Sequence, residues 1–262
     1  MIKPTENNQG RIPGQIKKLT CALQFLTVLP VAHDHSSEKN PFDGVVYYFV
    51  VAGALIGGMA SAIYWTASYI FPPSITAAIT IIFFSAISGF IHLDGLADTA
   101  DGFLSNKERE ACLEIMRDSR VGVMGAVAIV IVLLLKYSVL ADQETSLSPA
   151  ALLLIPISGR AAIVYSMALL PYARSSGGLG MLFYTHDLKK AALLSFAVLC
   201  LGALLLSPVH FLVVALVPVV SAVSFSRYCR MKIGGATGDT LGAVCEITET
   251  MVLITMSLTF LH

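Results

Sequence analysis

Residues 122–140 read GVMGAVAIVIVLLLKYSVL, nineteen positions with one charge, that of Lys136. A strand with one wet face would alternate apolar and polar residues, and this run does not. At 1.5 Å per residue a helix of that length reaches about 28 Å, close to the thickness of a bilayer's hydrocarbon core. Working outward, six further stretches have the same character: 44–70, 75–93, 150–170, 190–206, 209–225 and 240–261. Only Ser207-Pro208 separates 190–206 from 209–225, which predicts a tight hairpin. Of the 262 residues, 56% are hydrophobic and 13% charged, about half the charge of a soluble domain. Mean hydropathy is +0.76. These values exclude a soluble globular enzyme and a disordered chain. The continuous runs exclude an outer-membrane barrel. The expected fold class is therefore all-α, a polytopic membrane helical bundle of about seven transmembrane helices, forming one domain over 1–262.

Lysine and arginine orient this bundle. Ile16–Pro30 contains Lys17, Lys18 and Gln24 and spaces its Leu, Phe and Val residues helically. It reads as an interfacial amphipathic helix, and residues 1–43 as a cytoplasmic and interfacial segment. With seven spans and a cytoplasmic N-terminus, fifteen of the seventeen Lys and Arg fall on the inner side and none outside. Lys136 and Arg160 lie within spans. That is the positive-inside pattern, and a crossing at Ile16–Pro30 would invert it. Lys+Arg and Asp+Glu balance at 17 each, so no charge excess points to nucleic acid. The five cysteines are scattered, without the spacing of a disulfide framework or zinc site.

The chemistry concentrates in His92-Leu93-Asp94-Gly95-Leu96-Ala97-Asp98-Thr99-Ala100-Asp101-Gly102-Phe103. Asp94, Asp98 and Asp101 stand at i, i+4 and i+7, which share one helical face. Ionised carboxylates so close repel unless a cation sits among them, and hard oxygen ligands suit Mg²⁺, Mn²⁺ or Ca²⁺. The plain alternative is capping aspartates in water. Against it, three of only 17 acids fall within eight residues beside a membrane helix, where carboxylates are costly. His92 either ligates or is a helix-end histidine bonded to a carboxylate.

Three more stretches stand out. Arg117-Asp118-Ser119-Arg120-Val121-Gly122-Val123-Met124-Gly125 opens the third span. Asp118 or Ser119 can cap it, and Arg120 at a helix start calls for an anion. Gly234 to Glu249 opens the last span with a glycine-rich loop whose free N–H groups can receive phosphate. Asp239 and Glu246 then share a face with Gly242 between them, and Glu249 lies a turn deeper. Glutamates inside a span need a partner, and Arg160 is one internal choice. Finally, Arg174 sits in the glycine-rich loop Pro171–Gly180, either gripping phosphate or anchoring the cytoplasmic side. Carboxylates, glycine loops and arginines together point to divalent-metal phosphoryl chemistry.

Several of these residues form a pattern that resembles the adenosylcobinamide-GDP ribazoletransferases, the cobalamin (5′-phosphate) synthases. They are His92-Leu93-Asp94-Gly95 with Asp98-Thr99 and Asp101-Gly102; Asp118-Ser119-Arg120-Val121-Gly122 with Gly125; Tyr172-Ala173-Arg174 with Gly178-Leu179-Gly180; and Gly238-Asp239 with Gly242 and Glu246. Leu23–Pro30 is similar to the family's opening but departs at Val28, where a basic residue is expected, which argues against a ligand role for that helix. The resemblance implies a Mg²⁺-dependent, multi-pass transferase of the bacterial cell inner membrane, its active site facing the cytoplasm. It would join adenosylcobinamide-GDP to α-ribazole or its 5′-phosphate, giving adenosylcobalamin or its phosphate and GMP. It places Asp94, Asp98, Asp101 and Asp239 at the metal. Asp239 and Glu246 would complete the metal site or act as base. Arg120 and Arg174, with Asp118, Gly238 and Thr240, would contact phosphate or the guanylyl group. The lipid bilayer is the expected partner, and a homo-oligomer is left open. Two alternatives stand beside this one. The first is a CDP-alcohol phosphotransferase-like lipid enzyme, from the aspartate spacing. The second is an ion-coupled transporter using Asp239, Glu246 and Glu249, which would call for an inverted repeat that the sequence does not show.

Overall fold

The computed structural model describes residues 14–31, 41–142, 149–174, 178–185, 187–206 and 208–258. The expected N-terminal segment up to Pro13, Ser175–Gly177 of the glycine-rich loop, Ser207 of the hairpin and the end of the seventh expected span lie outside them. Among the described residues ten α-helices follow one another: α1 (Gly14–Leu26), α2 (Phe49–Ser68), α3 (Pro73–Ile87), α4 (Ile91–Phe103), α5 (Arg109–Ile115), α6 (Val123–Ala141), α7 (Pro149–Leu169), α8 (Leu188–Leu206), α9 (Phe211–Ile233) and α10 (Gly238–Met256). The all-α membrane bundle read from the sequence is what forms.

The span count differs in detail. Among the described residues, five helical stretches are long and apolar enough to cross a bilayer, and six if α3 and α4 count as one bent span. The expected continuous span 75–93 is broken. Helix α3 stops at Ile87, and Gly89 (φ 61°) and Phe90 (φ 62°) both turn left-handed. Only glycine adopts that conformation without cost, so the helix ends there. The chain leaves at 84° as α4. Fifteen residues give α3 about 22 Å, short of a full hydrocarbon core. The backbone N–H of Val28, just past α1, donates to the carbonyl of Ile87 at 2.8 Å and helps fix the break. Helix α9 instead runs past the expected end at 225 to Ile233. Its last turn carries Arg230 and Lys232, which suit the negative helix terminus, and Gly234 (φ 76°) ends it.

Helix α7 is the axis of the bundle. Its spanning window is 83% buried, against 22% for α6 and for α8, which therefore face lipid. Helix α2 lies against α7 through Gly53 and Gly57, whose missing Cβ atoms would fall within 3 Å of the backbone of Pro156 and Leu153. Small residues four apart let membrane helices approach this closely. Helix α10 has a span's length but carries Asp239, Glu246 and Glu249. It packs instead among α4, α6, α7 and α9, where its acids find internal partners.

Candidate active site

The interlock of α4 with α10 sets the site. A Cβ added at Gly95 would lie 2.7 Å from the carbonyl oxygen of Asp239 and 2.9 Å from its Cα. One at Gly242 would lie 3.1 Å from the Cα of His92. The two backbones touch, so Asp94 and Asp239 open onto one cavity of about 270 Å³. His92, Arg174, Gly178 and Gly238 share that polar end.

Local bonding holds each element in place. Thr237 and Thr240 form a capping box at the start of α10, with bonds of 3.2 and 2.8 Å. The loop after α7 is tied to the loop before α10. The N–H of Ala173 donates to Ala236 (2.8 Å), and that of Ala236 donates to Pro171 (2.9 Å). Arg109 braces both loops, donating to the carbonyls of Ile233 and Ala173. Arg174 is thereby carried to Asp239, and its Nη2 donates to Oδ2 at 2.7 Å. The Arg174 Nε is buried and lacks a hydrogen-bond partner among the described residues. A buried donor left open is costly.

The acids outweigh that one cation. Asp98, half-buried on α4 outside the apolar spans, has its carboxyl pushed up to about 7. Burial contributes most, followed by the charges of Asp94, Asp239 and Asp101, with Arg174 opposing. Burial also raises Asp239, again against Arg174. Hard carboxylate oxygens in excess negative charge are a donor set for Mg²⁺. As they stand, no three His, Cys, Asp or Glu side chains among the described residues are grouped to hold an ion by themselves.

Other candidates marked by the sequence lie elsewhere in the bundle, each for a visible reason. Asp101 accepts from the N–H groups of Gly122 (2.7 Å) and Gly125 (2.9 Å). It therefore caps α6 from a neighbouring helix, the task expected of Asp118 or Ser119. Asp118 instead pairs with Arg120 at 2.6 Å on the surface, and those bonds hold the Asp118 carboxyl below its usual range. Arg120 is 87% exposed, and its expected anion is this neighbour. The Thr240 hydroxyl is engaged in the capping box. Glu246 is buried away from the cavity with Lys136 Nζ at 2.7 Å, and Glu249 takes Lys136 (3.1 Å) and Arg160. Two acids and two bases from α6, α7 and α10 balance, which answers how the glutamates survive inside a span. Arg160 was legible as a partner, whereas Lys136 was not.

The cavity also has an apolar end that the motifs did not mark. It is formed by Phe25 and Leu26 of α1, Phe49, Met167, Phe183 and Leu241. The opening helix thus contributes hydrocarbon and no ligand. Nothing in the sequence distinguishes these residues from ordinary core.

A family model described as cobalamin-5-phosphate synthase matches residues 18–257. Among curated proteins, the chain is 37% identical over 245 residues to an adenosylcobinamide-GDP ribazoletransferase of Thermoanaerobacter sp. (strain X514), covering 92% of this chain and 96% of that one. It is 40% identical over 235 residues to that of Alkaliphilus metalliredigens (strain QYMF), covering 88% and 91%. For that of Roseiflexus sp. (strain RS-1) the identity is 39% over 242 residues, covering 90% and 88%. No solved structure matches.

Proposed function

The chain belongs to the cobalamin-5-phosphate synthase family and acts as a ribazoletransferase in cobalamin synthesis, and on that premise we propose how its cavity performs the transfer. The donor is adenosylcobinamide-GDP and the acceptor α-ribazole or its 5′-phosphate. One arrangement carries the reading: Asp94 of α4 and Asp239 of α10 meet at a cavity that Arg174 also lines, its guanidinium held there by Asp239. A diphosphate in the cavity is neutralised by the guanidinium. The start of α10 at Gly238 adds the positive end of its dipole.

Asp94 and Asp239 would hold a Mg²⁺, with Asp98 behind them. Two carboxylates suffice, because Mg²⁺ takes its remaining oxygens from water and substrate phosphate. When bound, the ion supplies neutralisation of the diphosphate charge as the transition state forms. The ribazole 3′-hydroxyl oxygen attacks the phosphorus on the cobinamide side. That P–O bond forms as the bridging P–O bond to the guanylyl phosphate breaks, and GMP leaves with the bonding pair. The hydroxyl proton passes to a carboxylate of the Asp94, Asp98 and Asp239 set. Arg174 keeps the diphosphate aligned for this single displacement.

The distribution of Lys and Arg supports an inner-membrane protein with this cavity on the cytoplasmic side. The test uses the purified protein in detergent. GMP should be released from adenosylcobinamide-GDP only when α-ribazole and Mg²⁺ are both present. Release without acceptor, or an unchanged rate after chelation, would overturn the reading.

A further inference from the structure

The cavity is bipolar, and its apolar half has no task in the phosphoryl chemistry. Phe25, Leu26, Phe49, Met167, Phe183 and Leu241 offer no hydrogen-bonding side-chain group. The rings converge on Phe183: its centroid lies 4.3 Å from that of Phe25 and 5.6 Å from that of Phe49. Phe42 adds a third edge at 5.3 Å. Phe25 and Phe183 also line an adjoining hollow reached past Gln24 and Leu182. The acidic end, with Asp94 and Asp239, belongs to the same cavity.

We propose that this aromatic end is the seat of the acceptor's base, an apolar fused bicyclic ring that packs on Phe25, with Phe183 buried behind it, while its sugar hydroxyl reaches the acidic end. The inference rests on the ribazoletransfer reading and says where one of its two substrates lies. The competing occupant is guanine. Its edge carries several donors and acceptors, and an apolar wall would leave them unpaired, which is strongly disfavoured. A benzimidazole-type base presents mostly π-face and hydrocarbon, which such a wall accepts. Placing the base there sets its ribose between the rings and the carboxylates, the position the attacking hydroxyl needs.

Initial rates of GMP release test this with the full chain in detergent. The acceptors are α-ribazole and the matching nucleoside carrying adenine. The wild-type protein should favour α-ribazole at least tenfold in kcat/KM. Phe25→Leu should raise the KM for α-ribazole about tenfold and leave the KM for adenosylcobinamide-GDP within twofold. Met167→Gln, a near-isosteric change that puts an amide into the apolar wall, should narrow the preference between the two acceptors. Equal use of both acceptors by the wild-type protein would overturn the placement, as would a KM increase confined to the guanylylated donor. A wild-type protein that released no GMP with either acceptor would instead sink the ribazoletransfer reading itself.

Discussion

Gly95→Ala isolates the contact on which the site depends. The new methyl would sit 2.7 Å from the carbonyl oxygen of Asp239, about 0.7 Å inside the 3.4 Å of ordinary contact. The methyl has no rotamer and what it meets is backbone, so no side-chain movement relieves the clash, and α4 and α10 must part. Overpacking of this kind costs about 1–3 kcal/mol. Replacing glycine by alanine inside a helix returns about 1 kcal/mol. The net loss of stability is therefore about 0–2 kcal/mol, and the protein stays folded. Catalysis is more sensitive, since a shift of about 1 Å in a positioned group costs about a hundredfold. The expected result is a ten- to hundredfold fall in kcat for GMP release, with only a small shift in thermal unfolding. Gly58→Ala on α2 is the control: nothing lies within 4 Å of its added Cβ. It should keep its rate within twofold and unfold no earlier. A Gly95→Ala protein with a rate within twofold of wild type would refute the claim that this interlock positions the carboxylates.

Other perturbations separate catalytic acids from structural ones. Lys136→Met leaves Glu246 and Glu249 facing Arg160 alone, and should cost about 3–5 kcal/mol in thermal or denaturant unfolding; adding Glu246→Gln should restore part of that. Asp98→Asn should abolish turnover and yet stabilise the metal-free protein. Folding raises the Asp98 carboxyl from about 4 to about 7, so its ionisation opposes the fold increasingly as pH rises across that window. Allowing for solvent screening of a half-exposed group, the gain should be about 1–2 kcal/mol above pH 7 and vanish below pH 4. Unfolding curves at pH 5 and pH 8 check the sign. Asp101→Ala should cost about 1–2 kcal/mol through loss of the α6 cap, while Asp101→Asn, which keeps an acceptor, should lose less.

The legible part of the architecture was whatever a periodic or compositional signal carried. Long apolar runs gave α2, α6, α7, α8 and α9, and the i, i+4, i+7 spacing put three aspartates on the face of one real helix. The break at Ser88–Phe90 was not legible, because the surrounding run stays apolar while two residues turn left-handed. Partner choice was illegible in the same way. That Lys136 answers Glu246, or that Asp101 caps α6 across a helix gap, depends on which helices are neighbours, and no local pattern encodes that. Arg174, Gly238 and Asp239 could be picked out because charge is rare here and glycines cluster in these two loops. Phe25, Phe49 and Phe183 could not, because phenylalanine in a membrane bundle is ordinary until a cavity opens beside it.

The most direct test of the central claim is a double-mutant cycle on divalent-cation binding. Mn²⁺ is titrated into the protein saturated with adenosylcobinamide-GDP, without acceptor, and followed by electron paramagnetic resonance. If Asp94 and Asp239 hold one ion against the diphosphate, Asp94→Asn and Asp239→Asn should each weaken Mn²⁺ binding at least tenfold, and the double variant should lose far less than the product of the two. Wild-type affinity in either single variant, or losses that simply multiply, would contradict it.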